Sequence, residues 1–321
     1  MNTRIHVVVG ILYNRNRDKI LITKRTSKQF LSGYWEFPGG KVKNNESSFS
    51  ALSREFFEEL GISLKSAKRL IKINHDYPGE KVLLDVWEIY EWEGEPTNLE
   101  NQEINWPDKN NLFKYKFPEA NKHIIQTLYL PDIYGISEES YKDCSHLFSV
   151  VRNYFNSGLK IFQLRLSFER NNVSRENIEE LYEEAKRNAA KLILNGVASD
   201  IEYFTVHGIH LKSKELLKYN NRPISGDYIL GVSCHNEVEL ERAEKLCVNY
   251  AFISPVSAAR SHPSKIPLGW SNFKQLAEQA NFPVYALGGM SFADLKEAKE
   301  NGAYGIAMIS AIKDFSLLDE V

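Results

Sequence analysis

Short apolar runs alternate with longer amphipathic segments through the second half of this chain. Eight such runs occupy residues 128–130, 161–165, 192–195, 208–211, 229–233, 251–254, 284–289 and 305–310. Helical patterns fill several of the intervals between them, at residues 177–190, 237–246, 270–280 and 292–301. Strands that alternate with helices favour a parallel sheet, and eight such units favour a closed (β/α)8 TIM barrel. The second half is therefore predicted to be an α/β domain of this kind.

Barrels of this type carry their chemistry where the strands end, at the C-terminal face. The candidates for a ligand site there are Arg165, Asn195, His210, Ser233, His235, Ser254, Gly288, Gly289 and Ser310. Gly288, Gly289 and Ser310 follow the seventh and eighth strands, where such barrels usually cradle a phosphate group. His262 lies in the loop after the sixth strand, where it is either solvated or part of a lid.

The first half contains an acidic helical pattern within residues 39–62. Glu55, Glu58 and Glu59 are i, i+3 and i+4 neighbours, so they share one face of the predicted helix. Their mutual repulsion, and their position toward the C-terminal end, are unfavourable in a purely structural helix. Clustered carboxylates suit Mg²⁺ or Mn²⁺, so this face is a candidate metal site. For the three glutamates alone, the alternative is a solvated acidic face.

The glycine, glutamate and arginine positions of the same stretch have a characteristic spacing. From Gly40 there are five residues to Glu46, seven more to Arg54-Glu55, and then Phe56-Phe57 before Glu58-Glu59. This pattern resembles the Nudix box, with every defined position filled. The resemblance implies an α/β/α sandwich and a metal-dependent hydrolase of nucleoside diphosphates linked to another group. The implied metal ligands are Glu55, Glu58 and Glu59, with the Gly39 carbonyl as a candidate fourth, and Arg54 would orient the glutamates.

Three further segments resemble the MutT branch of this family, so the likeness runs from about residue 4 to residue 128. They are LITKRT at 21–26, WEFPGGK at 35–41 and FPEAN at 117–121. The resemblance implies that Arg25 contacts substrate phosphate, Tyr77 contacts the base, and Asn121 reads the oxidised guanine. The implied reaction is hydrolysis of 8-oxo-dGTP to 8-oxo-dGMP and pyrophosphate. From the residues alone, Arg25 is equally well a solvated strand end, and Asn121 a helix cap.

The general base of this reaction has two candidates. Glu55 is the first, because a carboxylate beside a bound metal can take the proton of a metal-bound water. Glu103 is the second, since the loop 101–106 corresponds to a MutT loop with a glutamate just before a tryptophan. Here Asn105 occupies that place before Trp106. Either Glu103 reaches the site or the helix carboxylates act without it.

The second half resembles the thiamin phosphate synthase and TenI-like thiazole tautomerase family. The matching motifs are QLR at 163–165, GIHL at 208–211, GVS at 231–233, ISPV at 253–256, LGGM at 287–290 and IAMISAI at 306–312. Residues 166–168, Gly196 and residues 212–214 replace groups that bind pyrophosphate and Mg²⁺ in the synthase. We therefore expect a remodelled site for a phosphorylated small molecule rather than synthase activity.

Length and composition set the outer limits. The 321 residues suggest two domains, predicted at 1–128 and 129–321. A net charge of −2 gives no reason to expect a nucleic-acid polymer as partner, and no apolar run reaches the ~18 residues typical of a membrane span. Three cysteines without a CxxC pair indicate a reducing compartment, so a cytoplasmic location is expected.

Three functional hypotheses follow from the two halves. The first is an 8-oxo-dGTP diphosphatase with a barrel of unknown role. The second is a Nudix enzyme of the thiamin pathway that clears a damaged or misplaced diphosphate. The third makes the barrel primary, as a sensor of a phosphorylated ligand or as a TenI-like isomerase. Tyr77 and Asn121 favour the first hypothesis over the second, while the joining of the two halves favours the second or third.

Overall fold

The computed structural model describes residues 4–26, 31–138, 144–165, 174–258 and 266–320. Contacts divide the chain into two compact units, Met1–Tyr129 and Leu130–Val321. Residues 166–168 and His262, both considered above, lie outside the described residues. Within the described ranges, no helix is long and apolar enough to cross a membrane.

The described residues of the first unit form two small sheets and two α-helices. Its strands are β1 (Ile5–Leu12), β2 (Ile22–Lys24), β3 (Trp35–Glu36), β4 (Gly39–Lys41), β5 (Ser63–Tyr77), β6 (Glu80–Glu93) and β7 (Glu103–Asn105). Its helices are α1 (Ser48–Leu60) and α2 (Glu119–Leu128), with a 3₁₀ helix at Lys109–Lys114. One sheet has the order β4-β1-β6-β5, in which only β1 and β6 are parallel, and the other has the order β3-β2-β7.

Helix α1 is bounded by a capping serine and by a glycine in the left-handed region. The Ser47 side chain caps the helix by accepting a hydrogen bond from the Ser50 backbone N–H, and Gly61 ends it in the left-handed region at φ 69°. Leu52, Phe56 and Leu60 are buried in one core with Val8 and Leu12 of β1 and Ile89 of β6. The acidic face is therefore directed away from this core.

Two parts of the first unit differ from their predicted secondary structure. Residues 101–106, expected to be a loop, contain β7, which pairs with β2. Ser63–Tyr77 forms a long strand for which the sequence shows no apolar run, because most of its side chains stay partly or fully exposed at the edge of the sheet. The pairing with β6 has register shifts at three places, which interrupt the alternation of inward and outward side chains along the strand.

The second unit is a closed barrel of eight strands, all joined by parallel pairing. They are β8 (Ile133–Ile136), β9 (Ile161–Leu164), β10 (Lys191–Asn195), β11 (Gly208–Leu211), β12 (Ile229–Cys234), β13 (Tyr250–Ile253), β14 (Val284–Leu287) and β15 (Gly305–Met308). The helices around it are α3 (Cys144–Asn156), α4 (Arg175–Arg187), α5 (Asp200–Tyr203), α6 (Ser213–Leu216), α7 (Glu237–Lys245), α8 (Gly269–Gln279) and α9 (Leu295–Glu300). The described residues of this unit also form 3₁₀ helices at Phe292–Asp294 and Ala311–Glu320. The predicted barrel is confirmed.

The first barrel strand is not the run 128–130, and this prediction was wrong. Leu128 ends α2, and Tyr129 closes that helix, so their apolar character reflects burial of the helix end. Leu130 is buried as part of the barrel core. The strand itself begins at Ile133, after Pro131 and Asp132.

Aromatic side chains fill the N-terminal end of the barrel. Tyr134, Tyr250 and Tyr285 are fully buried, and the hydroxyls of Tyr134 and Tyr250 are 2.6 Å apart. The Tyr285 hydroxyl donates to the carbonyl of Pro131, which precedes the first barrel strand. This end of the barrel is packed, which leaves the C-terminal end as the place for a ligand.

Candidate functional site

Arg54 holds the carboxylates of helix α1 through its guanidinium group. Its Nε and Nη2 donate to the two oxygens of Glu46 at 2.9 and 3.0 Å, and Nη2 also donates to the Lys41 carbonyl at 3.1 Å. Nη1 donates to Glu55 Oε1 at 2.7 Å and to Glu58 Oε2 at 3.2 Å. The hydrogen bonds from Arg54 lower the pKa of Glu46 to about 2. Arg54 thus fixes the carboxylates of two of the three predicted metal ligands.

Glu59 lies on the inner side of this acidic face. Its Oε2 accepts a hydrogen bond from the Gly39 backbone N–H at 3.3 Å. Burial, followed by the nearby charges of Glu36, Glu55 and Glu100, raises the pKa of Glu59 to about 8. Glu59 therefore faces other carboxylates, which is an arrangement that a cation would relieve.

The pH dependence of stability gives a first prediction. Glu59 has a pKa of 4.5 in the unfolded chain and a raised pKa in the folded protein. Its contribution to stability is therefore fully present below pH 4.5 and is lost as the pH rises toward 8. In EDTA, we expect Tm to fall by roughly 2–8 °C between pH 5 and pH 8 because of Glu59. Glu59→Gln should flatten that slope in thermal unfolding, and Mg²⁺ should raise Tm at pH 8. An unchanged slope in the variant would contradict this view of Glu59.

Glu36 belongs to this site, although nothing in its sequence context singles it out. Its carboxylate accepts a hydrogen bond from Arg25 Nε at 2.7 Å, and both side chains are mostly buried. Burial raises the pKa of Glu36, while the Arg25 charge lowers it. Glu36 is on β3, just before Gly39, and the Gly39 N–H binds Glu59, so the ion pair lies near the inner side of the acidic face. The predicted phosphate contact, Arg25, is thereby brought to the acidic site.

Glu103 is directed away from this site, contrary to its candidacy as a second general base. In the small sheet, Lys24 lies opposite Glu103, whereas Thr23 lies opposite both Glu36 and Ile104. Side chains alternate between the two faces of a strand, so Glu103 and Glu36 are on opposite faces. Ile104 packs on the core that contains α1, and Glu103 instead forms an exposed ion pair with Lys24 at 2.8 Å.

Asn105 has a local structural role at the position before Trp106. Its Nδ2 donates to the Tyr115 hydroxyl at 3.0 Å, and its Oδ1 accepts from the Trp106 backbone N–H at 2.8 Å. The amide therefore fixes the end of β7. Both contacts are made by the side chain of Asn105, at the position where the MutT resemblance implies a glutamate.

The predicted base contacts, Tyr77 and Asn121, lie close together. Burial raises the pKa of Tyr77, whereas a hydrogen bond to the Ala120 backbone and the nearby Arg25 charge lower it. Asn121 follows Ala120 in the first turn of α2 and is 8% exposed. Helix α2 has no side-chain cap, so Asn121 does not serve as one. Tyr77 therefore lies next to the first turn of α2, which carries Asn121.

The acidic site has the donor chemistry of a hard-metal site, but the ligands are not preassembled. Within the described ranges, no group of three or more His, Cys, Asp or Glu side chains converges as a metal cluster. The reason is visible in the contacts, because Arg54 engages Glu55 and Glu58, and the Gly39 N–H engages Glu59. Carboxylate oxygens and the raised pKa of Glu59 nevertheless fit Mg²⁺ or Mn²⁺.

The second unit has a cavity of ≈ 880 Å³ at the C-terminal ends of its strands. The predicted site residues that line it are Arg165, Asn195, Ser233, His235, Ser254, Gly288, Gly289 and Ser310. All eight barrel strands or the loops after them contribute lining residues, among them Ile136, Gln163, Phe252 and Ala307. The structure thus brings these positions to one cavity, as expected for a barrel.

His210 differs from the other predicted residues because it lies behind the cavity and is fully buried. Its Nε2 is 2.9 Å from the hydroxyl of Ser233, which does line the cavity, and its Nδ1 is 3.2 Å from the Tyr250 hydroxyl. Burial lowers the pKa of His210 to about 3, so the ring is neutral. His235 is held at the cavity by its Nδ1, which is 2.6 Å from the Ser254 carbonyl.

Comparisons with known proteins agree with this division. Residues 133–312 match the family described as thiamine monophosphate synthase, and residues 8–127 match the NUDIX domain family. The 8-oxo-dGTP diphosphatase of Escherichia coli (strain K12) is 34% identical over 125 residues, covering 39% of this chain and 96% of that protein. The thiamine-phosphate synthase of Caldicellulosiruptor bescii is 28% identical over 185 residues, covering 56% of this chain and 83% of that protein.

A solved structure of MutT, from work on the Aliivibrio salmonicida and Vibrio cholerae proteins, is 35% identical with a TM-score of 0.35. It covers 39% of this chain, and the match extends over 97% of the MutT chain. The chain belongs to the thiamine monophosphate synthase family through residues 133–312, and through residues 8–127 it belongs to the Nudix family as a Nudix hydrolase.

Proposed function

We propose that the Nudix unit hydrolyses 8-oxo-dGTP to 8-oxo-dGMP and pyrophosphate, with Mg²⁺ or Mn²⁺ as cofactor. The observation that carries this proposal is the acidic face of α1, where Arg54 binds Glu55 and Glu58 and the Gly39 N–H binds Glu59. The E. coli relative is an 8-oxo-dGTP diphosphatase, which supports the same substrate. We assign this activity to residues 1–128 and the barrel to residues 129–321, and we expect the enzyme in the cytoplasm.

Each group in this site has a distinct part in the proposed reaction. Glu55, Glu58, Glu59 and the Gly39 carbonyl would hold the cation. The cation, when bound, polarises a phosphate oxygen and lowers the pKa of a water molecule. Glu55 takes the proton of the attacking water, and it is preferred over Glu103 because Glu103 lies on the opposite face of its sheet.

Arg54 and Arg25 position the charged groups around the scissile bond. Arg54 orients Glu55 and Glu58 through the hydrogen bonds already described, and its link to Glu46 keeps the guanidinium in place. Arg25 lies in an ion pair with Glu36, which holds its guanidinium near the site before a triphosphate binds. A phosphate group then competes with Glu36 for Arg25, and a bidentate contact favours that exchange.

The substrate assignment is tested by turnover of a diphosphate panel with the full chain. The panel contains 8-oxo-dGTP, dGTP, ADP-ribose, thiamin diphosphate and the pyrimidine diphosphate precursor of thiamin. We expect kcat/KM to be highest for 8-oxo-dGTP. Equal values for 8-oxo-dGTP and dGTP would refute the assignment, and a preference for the thiamin compounds would support the second hypothesis instead.

Substitution of Asn121 gives a second prediction. An amide can donate and accept hydrogen bonds at a purine edge, and each lost bond to a neutral group costs about 1 kcal/mol. Asn121→Ala should lower the ratio of kcat/KM for 8-oxo-dGTP over dGTP by roughly 10- to 100-fold. Asn110→Ala is the matched control, because Asn110 is exposed in the 3₁₀ helix Lys109–Lys114. An unchanged ratio in Asn121→Ala would remove this residue from base recognition.

We further propose that the barrel cavity binds a phosphorylated small molecule. Gly288 and Gly289 follow β14 with φ of 99° and 71°, and both they and Ser310 line the cavity. In the described turns and loops, no backbone acceptor pairs with the amide of Gly289 or Ser310. Such amides suit a phosphate group. Calorimetry with thiazole phosphate and thiamin phosphate tests this proposal, and absence of heat with both would refute it for those ligands.

A further inference from the structure

Helix α2 begins without a capping side chain of its own. Pro118 occupies the N-cap position with φ −54° and ψ 153°, and its ring offers no oxygen to the N–H groups of the first turn. The Asn121 N–H donates to the Pro118 carbonyl at 3.0 Å. The Ala120 N–H has no backbone acceptor in the described turns and caps, and Ala120 is fully buried. A buried donor of this kind needs a partner from another element.

Tyr77 supplies that partner from the end of β5. Its hydroxyl oxygen accepts a hydrogen bond from the Ala120 backbone N–H. Tyr77 is paired with Glu80 across the turn between β5 and β6. The His75 ring, two residues earlier on the same face of the strand, lies edge-on to the Tyr77 ring with centroids 4.3 Å apart. Strand pairing and a neighbouring ring therefore hold the side chain that presents this hydroxyl.

Aromatic packing holds the segment that leads into α2. The ring of Phe117, just before the N-cap, stacks on that of Phe37 with centroids 5.2 Å apart, and both side chains are buried. The start of α2 thus has an apolar attachment at Phe117 and a polar one at Ala120, and only the polar one lies inside the first turn. Asn121 is the next residue of that turn. Loss of the polar attachment would therefore displace its side-chain amide.

We propose that Tyr77 is a positioning residue for substrate discrimination, whose hydroxyl caps α2 and thereby fixes the side-chain amide of Asn121. Tyr77 acts through Asn121 and not through a contact of its own with the base. This inference rests on the proposed hydrolysis of 8-oxo-dGTP and on the proposed role of Asn121 in base recognition. The cap matters because the donor and the acceptor of an amide must meet a purine edge at defined distances and angles.

Tyr77→Phe tests this proposal, because it removes the hydroxyl and keeps the ring. We expect the ratio of kcat/KM for 8-oxo-dGTP over dGTP to fall by roughly 5- to 20-fold, mainly through a higher KM for 8-oxo-dGTP. Amide hydrogen exchange in the first turn of α2 should become faster by a similar factor. Tyr90→Phe is the matched control, since Tyr90 is an exposed tyrosine of the same hairpin whose hydroxyl donates to Glu88 at 3.0 Å. It should leave both quantities unchanged.

Two further variants separate positioning from direct contact. In the Asn121→Ala background, Tyr77→Phe should lower the ratio no further, because both changes act on the same amide. Pro118→Ser places a hydroxyl at the N-cap, where the backbone is already extended as a capping residue requires. Added to Tyr77→Phe, it should restore the ratio, which a lost contact between Tyr77 and the base would not allow.

The outcomes separate the role of Tyr77 from the substrate assignment. A wild-type preference for 8-oxo-dGTP that Tyr77→Phe leaves unchanged would overturn the positioning role alone. A further fall of the ratio in the Asn121→Ala background would show that the hydroxyl acts on the substrate directly, and would also overturn it. So would a failure of Pro118→Ser to restore the ratio. Equal kcat/KM for the two nucleotides in the unaltered chain would refute the proposed function, and the role of Tyr77 in discrimination with it.

Discussion

Replacement of Glu58 by glutamine should abolish Mg²⁺-dependent turnover while leaving the fold intact. The amide keeps the shape of the side chain but removes the charge that a hard cation requires. Lewis-acid and nucleophile activation by a metal is worth several kcal/mol, so we expect kcat/KM to fall by about 10³-fold or more. The Glu58 carboxylate is 48% exposed and has one contact of 3.2 Å with Arg54, and such a pair contributes at most about 1 kcal/mol to stability.

The control for this variant is Glu93→Gln. Glu93 is also an exposed glutamate of the first unit, and it pairs with Lys65 at 2.9 Å at the far end of β6. Its substitution removes the same charge without touching the acidic face of α1. Steady-state turnover of 8-oxo-dGTP and Tm with and without Mg²⁺ should be measured for both variants. Retained turnover in Glu58→Gln, or an undiminished rise of Tm with Mg²⁺, would refute the metal assignment.

The barrel was predictable because its strands are buried on both faces. Runs such as 229–233 contain consecutive apolar residues bounded by polar ones, and that run closely matches β12. Prediction of a strand from an apolar run failed at 128–130. There the apolar residues are buried at the end of α2 and in the barrel core. It also failed for Ser63–Tyr77, which is an edge strand with lysines at 65, 68 and 72. A short apolar run indicates that a segment is buried, but it does not by itself distinguish a strand from a helix end.

The residues of the acidic site that share one helix were predictable from the sequence. Those on strands were not, because the register of strand pairing determines which face of the sheet they occupy. Glu55, Glu58 and Arg54 follow from helical spacing, which fixes their common face. Glu36 and Glu103 differ because each lies on a short strand of the β3-β2-β7 sheet. Their pairing with Thr23 and Lys24 places Glu36 toward α1 and Glu103 away from it. A shift of one residue would exchange these roles, and the sequence does not reveal that register.

Gly40→Ala should reduce turnover strongly through the position of Glu55. A Cβ atom at Gly40 would lie 2.2–2.5 Å from the three carboxyl atoms of Glu55, which is far inside contact distance. The backbone of Gly40 cannot easily retreat, because β4 pairs with β1 with Val8 opposite Gly40. The Glu55 carboxylate must therefore move, and it would leave both Arg54 and the cation. Misplacement of a catalytic group by about 1 Å costs roughly 10²-fold, so we expect kcat to fall by that factor or more.

Gly79→Ala separates this effect from the general cost of replacing a glycine. Gly79 has φ of 86° and open space around its Cα, so alanine strains the backbone there without meeting any side chain. That variant should lose about 1 kcal/mol of stability with kcat unchanged. Gly40→Ala should show the reverse, with a large fall in kcat and a small change in Tm. Adding Gly40→Ala to Glu55→Gln should reduce kcat little further, because both changes remove the same carboxylate. Fully additive losses would show that Gly40 acts through another group.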